Sequence, residues 1–170
     1  LQSLREQIKS GTVTEQEPMS RHTSFSIGGP ADVFVQPATK EEIKNAIFCA
    51  KEAGVPFFVM GNGSNLLVSD EGFRGMIIQI GKNFQEISVQ DTVIEVQAGA
   101  LLSRTARAAW NAGLTGFEFA AGIPGTTGGA VAMNAGAYGG EIKDVLLDAQ
   151  VLTQDGEFLT LTAEELELSY

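Results

Sequence analysis

The sequence predicts an α+β chain made of two small α+β subdomains, and three observations predict it. Segments with helical spacing alternate with segments of strand character, two pairs of strand-like runs are joined by tight-turn residues, and two glycine-rich loops fall one in each half. With 170 residues, 44% of them hydrophobic and 19% charged, the chain carries enough apolar material for a packed core. Residues 1–18 read as an N-terminal helix and link, 19–82 as a first subdomain and 83–170 as a second.

Each element has its own signal. Leu1, Leu4 and Ile8 recur at helical spacing, and Gly11 is a plausible stop. After a polar link, HTSFSIGGPADVFVQP has extended character, broken early by Gly28-Gly29-Pro30. Thr39 with Glu42 three residues on is a capping box; the helix it opens sets Ile43, Ala46, Ile47 and Ala50 on one face, and Gly54 closes it. VPFFVM reads as a buried strand and GMIIQI as another. FQEISVQ and TVIEVQA flank Asp91 as a hairpin-like pair, and a helix over 103–112 turns Leu102, Ala106, Ala109 and Trp110 inward. VLLDAQVLT and EFLTL flank Gln154-Asp155-Gly156, a strong hairpin signal, and Thr162 with Glu165 opens a last short helix.

A formal charge of −10 argues against broad attraction to nucleic acid or an anionic membrane. A phosphate bound here has to be held locally, by oriented N–H groups rather than a basic field. No apolar stretch approaches the roughly 20 residues of a membrane span, and the N-terminus lacks a signal-peptide pattern. The lone Cys49 excludes an internal disulfide and suits a reducing cytoplasm, so the expectation is a soluble, cytoplasmic protein.

Two loops carry the chemistry. Gly61-Asn62-Gly63-Ser64-Asn65 follows a strand, yet it is not a dinucleotide fingerprint, because Leu66 stands where the third glycine belongs. No G-x-x-x-x-G-K-[ST] occurs either. What remains is a turn whose N–H groups and Ser64 hydroxyl form an anion nest, or an ordinary Gly/Asn turn. The second segment holds seven glycines between Gly122 and Gly140, interleaved with Ala, Val and Met instead of linker charges. It fits either a flat, polar-edged cofactor or tight backbone packing. Together the two loops suggest a nucleotide cofactor with a pyrophosphate that touches both subdomains.

Little else points to chemistry. His22, the only histidine, has no cysteine or carboxylate at ligand spacing, so no metal site is expected; it reads as a turn cap or a partner of Phe25. Ser64 is not in a G-x-S-x-G elbow. Glu141, Asp144 and Asp148 read as a solvated face, and Tyr138 is the one aromatic singled out as a ligand contact.

MSRHTSFSIGGPADVFV, GNGSNLLVSDEGFRG and GFEFAAGIPGTTGGAVAMNAGAYGGE stand in this order. With them the chain resembles the UDP-N-acetylenolpyruvoylglucosamine reductases of bacterial cell-wall synthesis, from about residue 19 onward. The resemblance implies two α+β subdomains of the PCMH-type FAD-binding fold, with the substrate-binding domain absent and FAD held non-covalently between the subdomains. It implies that Gly61, Asn62, Gly63, Ser64, Asn65 and Leu66 hold the pyrophosphate region. Gly122, Ile123, Pro124, Gly125, Thr126, Gly128, Gly129, Asn134, Gly136 and Ala137 line the rest of the cofactor, and Tyr138 meets substrate. It further implies that NADPH reduces the flavin, which passes hydride to UDP-N-acetylglucosamine enolpyruvate to give UDP-N-acetylmuramate. The family's catalytic arginine directly follows a tyrosine, with its serine and acidic residue later still. The sequence ends at Tyr170, so the resemblance implies no catalytic residue in this chain and no turnover by it alone. A flavin oxidase or dehydrogenase of the same fold with another substrate, and a non-catalytic nucleotide-binding module, are the alternatives.

Overall fold

The computed structural model describes all residues from Leu1 to Tyr170, in two compact units, Leu1–Phe84 and Gln85–Tyr170. The first unit is a four-stranded sheet with helices. Helix α1 (Gln2–Gln7) leads into β1 (Thr12–Pro18), a short 3-10 turn at Met19–Arg21, and β2 (Pro30–Gln36). Helix α2 (Lys40–Glu52), β3 (Phe57–Met60) and β4 (Phe73–Gln79) complete it. The strand order is β1-β2-β4-β3, with β1 antiparallel to β2 and the other pairs parallel.

Capping sets the bounds of α2. The Thr39 hydroxyl accepts from the Glu42 N–H at 3.1 Å, and Gly54, at φ 63°, ends the helix. The Glu42 carboxylate turns away to accept from the N–H groups of Lys9, Ser10 and Ala38, so one residue starts α2 and pins the α1–β1 link. Ala46 and Ala50 are the fully buried residues of α2. Met19, Ala31, Phe34, Met60 and Ile77 form the core, with Leu66, Val68 and Phe73 against it. Burying a side chain the size of Phe34 or Ile77 contributes about 2 kcal/mol.

Three expectations change in this unit. The polar link contains β1, a strand held by pairing with β2 over Thr12–Pro18 although its own sequence, TVTEQEP, lacks apolar alternation. VPFFVM is not a buried strand: β3 lies at the sheet edge, and Phe58 and Val59 are exposed. The ring of His22 lies 4.1 Å from that of Phe34, not on Phe25, and its Nε2 is 2.9 Å from Glu17 Oε1.

The second unit is assembled from small pieces. The hairpin of β5 (Ile87–Gln90) and β6 (Val93–Val96) turns at Asp91, whose φ is 52°. Helix α3 (Leu102–Asn111), a 3-10 turn at Glu118–Gly122 and α4 (Thr127–Ala132) follow. The minimal ladder of β7 (Gly136–Ala137) and β8 (Gly140–Glu141), a 3-10 turn at Ile142–Asp144 and the hairpin of β9 (Asp148–Leu152) with β10 (Phe158–Thr162) finish it. Leu102, Ala120, Ala130 and Ile142 make its core, flanked by Phe117, Phe119, Ile123 and Leu146 among others.

Corrections fall here too. Trp110 is 80% exposed, because the buried face of α3 is Leu102, Thr105 and Ala109. The Thr162–Glu165 box forms, with Thr162 N–H bonded to the carboxylate and Glu165 N–H to the hydroxyl, but it closes a turn rather than a helix. Glu141, Asp144 and Asp148 do lie toward solvent as expected, Glu141 and Asp144 capping the 3-10 turn and Asp148 beginning β9.

Candidate functional site

In the first unit the site is the turn that leaves β3. Met60, the last residue of β3, accepts from the Ile80 N–H at 2.8 Å, which holds the strand end in place. The next carbonyl, Gly61 O, accepts from Gln79 Nε2 at 3.2 Å. Gln79 Oε1 in turn accepts from Gln36 Nε2 at 2.7 Å, and Gln36 Oε1 from the Thr12 hydroxyl at 3.2 Å. Gly63 is buried with φ 66°, and a Cβ there would run into the His22 carbonyl, so conformation and space both require glycine. Its own carbonyl accepts from the Ser24 N–H at 3.1 Å.

Asn62 borders an open hollow of about 460 Å³ whose other walls are Arg21, His22, Thr23, Ser24, Gln36, Gln79, Gly81 and Lys82. No carboxylate lines it, although the chain carries ten more negative than positive charges. Arg21 keeps a loose 3.7 Å approach to Glu17 outside the hollow. Two cations that the sequence reading did not single out, Arg21 and Lys82, 61 positions apart, arrive at one place. No local signal marks either of them, nor Gln36 and Gln79, because the strand order alone brings them together. Leu66, partly buried, packs against the core of the first unit.

The segment from Gly122 in the second unit divides by what each residue meets. Gly128 is forced by internal packing: its N–H bonds the Ala98 carbonyl at 2.9 Å, and an added Cβ would lie 2.7 Å from the Ala98 Cβ. Thr126 is buried, and its hydroxyl caps α4 by accepting from the Gly129 N–H at 3.3 Å. The Thr127 hydroxyl bonds the Ala100 carbonyl at 3.1 Å and meets the Thr105 hydroxyl at 3.0 Å. Asn134, 2% exposed, donates to Glu141 and accepts from the Lys143 N–H. An added Cβ on Gly136 would crowd the Gly140 carbonyl at 2.8 Å. Gly122 differs: a Cβ there meets nothing within 4 Å and its φ lies outside the left-handed region. Nothing inside the chain requires that glycine.

Ile123 and Ala137 are half-buried and Pro124 is exposed, while Gly125 takes φ 123°. Tyr138, 99% exposed at φ 53°, borders a second open hollow of about 510 Å³ with Gly116, Glu118, Phe119, Gly139 and Gly140. No cluster of three His, Cys, Asp or Glu side chains stands ready for a metal ion, and no helix is long and apolar enough to cross a membrane.

A family described as FAD binding domain matches residues 31–162. The UDP-N-acetylenolpyruvoylglucosamine reductase of Alkaliphilus metalliredigens is 54% identical over 155 residues, which cover 91% of this chain and 51% of that protein. The crystal structure of the corresponding reductase from Thermus caldophilus superposes with a TM-score of 0.79 at 38% identity, over 94% of this chain and 56% of that one. A berberine bridge enzyme-like protein of Physcomitrella patens, at 22% identity and a TM-score of 0.68, shares the fold. The chain spans about half the length of the reductases it matches.

Proposed function

The chain belongs to the FAD binding domain family, and from that premise we propose that it is the FAD-holding part of an NADPH-dependent UDP-N-acetylenolpyruvoylglucosamine reductase. The observation that carries this reading is the Gly61–Asn65 turn. Its first and third carbonyls are already engaged, by the Gln79 amide and the Ser24 N–H, and it opens on a hollow with two cations and no carboxylate. Such a place suits a pyrophosphate, which needs N–H donors and positive charge without competing acceptors.

In this reading Gly61, Asn62, Gly63, Ser64 and Asn65 offer backbone groups to the pyrophosphate, with Arg21 and Lys82 as countercharges. The exposed backbone around Gly122, with Ile123, Pro124 and Gly125, lies along another part of the cofactor, and the missing Cβ of Gly122 admits it closely. Thr126, Gly128 and Asn134 act behind that surface, holding the segment in shape. Tyr138 stands ready to meet substrate. Bound FAD supplies two-electron hydride chemistry, and the protein supplies position and electrostatics.

Titration of FAD into the purified, flavin-free chain, followed by flavin fluorescence, tests the binding claim, and a chain that takes up no FAD refutes it. For the whole protein, we propose NADPH oxidation that depends on UDP-N-acetylglucosamine enolpyruvate, in the cytoplasm and in the service of peptidoglycan synthesis. The 170-residue chain by itself is proposed to be inactive; NADPH oxidation by it above background would overturn that part alone.

A further inference from the structure

We propose that Gln79, oriented by Gln36, is a positioning residue that aims the backbone N–H of Asn62 into the hollow as a donor to the FAD pyrophosphate; this rests on the FAD reading above. Gln79 is 8% exposed and ends the central strand β4, whose neighbours Met76, Ile77 and Ile78 are buried and apolar. An amide at such a place weakens the core unless its donor and acceptor are both bonded. Both are, to Gly61 O and to Gln36 Nε2.

The direction of the relay is dictated from its far end. A backbone carbonyl only accepts, so the Gln79 amide must present its NH₂ to Gly61 and its oxygen to Gln36. Gln36 must then present its NH₂ to Gln79 and its own oxygen to the Thr12 hydroxyl, as observed. No peptide bond in the chain is cis. In a trans peptide the carbonyl and the following N–H lie in one plane and point in opposite directions. Capture of Gly61 O by Gln79 thus turns the Asn62 N–H away from the core, and Asn62 is exposed on the hollow that also holds Arg21 and Lys82. The Gly63 carbonyl is engaged as well, accepting from the Ser24 N–H. Two carbonyl oxygens that would repel an anion are occupied by donors of the chain, and the Asn62 N–H is the group left to meet it.

Three variants test this: Gln79→Met, which removes both bonds; Gln79→Glu, which keeps the bond from Gln36 but sets a carboxylate against Gly61 O; and Gln36→Glu. In the last, the new carboxylate attracts the Gln79 NH₂ and draws it off Gly61 without altering Gln79 itself. FAD affinity is read by fluorescence quenching, the phosphorus NMR signals of bound FAD report on the pyrophosphate, and circular dichroism and thermal unfolding of the flavin-free chain report on the fold. We expect FAD affinity to fall about tenfold in each variant, Gln79→Glu most, with the pyrophosphate resonances displaced and the flavin-free fold retained in Gln36→Glu. Should the Gln79 variants fail to fold, Gln36→Glu decides the matter. Folded variants with wild-type affinity and unmoved phosphorus signals overturn the inference while the FAD reading stands. A wild-type chain that takes up no FAD overturns both.

Discussion

Asn134 holds Glu141 through a 2.7 Å hydrogen bond from its side-chain amide, while its carbonyl oxygen accepts from the Lys143 N–H at 3.0 Å. The residue is 2% exposed and sits at φ 42°, a conformation that asparagine tolerates better than most side chains. Lys143 Nζ closes the group on Glu141 at 2.8 Å. This knot fixes the path of the chain around β7 and β8. Asn134→Ala is expected to lower stability by roughly 2 kcal/mol, seen as an earlier denaturant midpoint. Asn134→Asp should be worse, since it faces the Glu141 carboxylate with a second one. A wild-type midpoint in both would mean the knot contributes nothing.

Acidification should weaken the first unit through Glu42. Burial pushes its pKa up, but the N–H groups of Ala38, Ser10, Gly11 and Lys9 together outweigh this and leave it below the ordinary value of 4.5. A carboxylate with a depressed folded pKa contributes stability in full above 4.5, and that contribution is lost as pH falls through the folded value. Glu141, drawn down first by its bond to Lys143 and then by Asn134, and Glu165, drawn down by Thr162, act in the same direction. Urea midpoints measured from about pH 7 to about pH 3 should fall below about pH 4.5. Glu42→Gln should start from a lower plateau and fall less steeply; parallel curves would remove Glu42 from the account.

Gly63 and Gly122 separate folding from binding. Gly63→Ala places a Cβ on the His22 carbonyl at a left-handed φ, so it should destabilise the chain by more than about 1 kcal/mol and weaken FAD uptake. Gly122→Leu enters open space and should leave the flavin-free chain within about 0.5 kcal/mol of wild type while blocking FAD. If Gly122→Leu binds FAD normally, that backbone does not lie along the cofactor.

Trp110 offers a control. With 80% of its surface exposed, Trp110→Ser should change stability by no more than about 0.5 kcal/mol. A loss of the size expected for a core aromatic would show that this surface is covered in solution.

What was legible in the sequence was local. Thr39 and Gly54 bound α2 because caps act within one turn, though the Glu42 carboxylate expected to complete the cap goes to Lys9, Ser10 and Ala38 instead, and Asp91 and Gly156 turn their hairpins because a positive φ is a property of a few adjacent residues. The two glycine segments were visible for the same reason. By composition the chain also stated its acidity, and with it the need to hold any anion by local groups.

What only the tertiary structure decided depends on strand order. β1 is a strand because β2 offers it a ladder, and Phe58 and Val59 are exposed because β3 lies at the edge. The same order sets Gln36 and Gln79 side by side beneath Gly61 and brings Arg21 and Lys82 to one hollow. Hydrogen bonds and charges act over a few ångströms of space, whatever the distance along the chain. Residues 43 positions apart, such as Gln36 and Gln79, carry no mark of their partnership until the sheet is assembled.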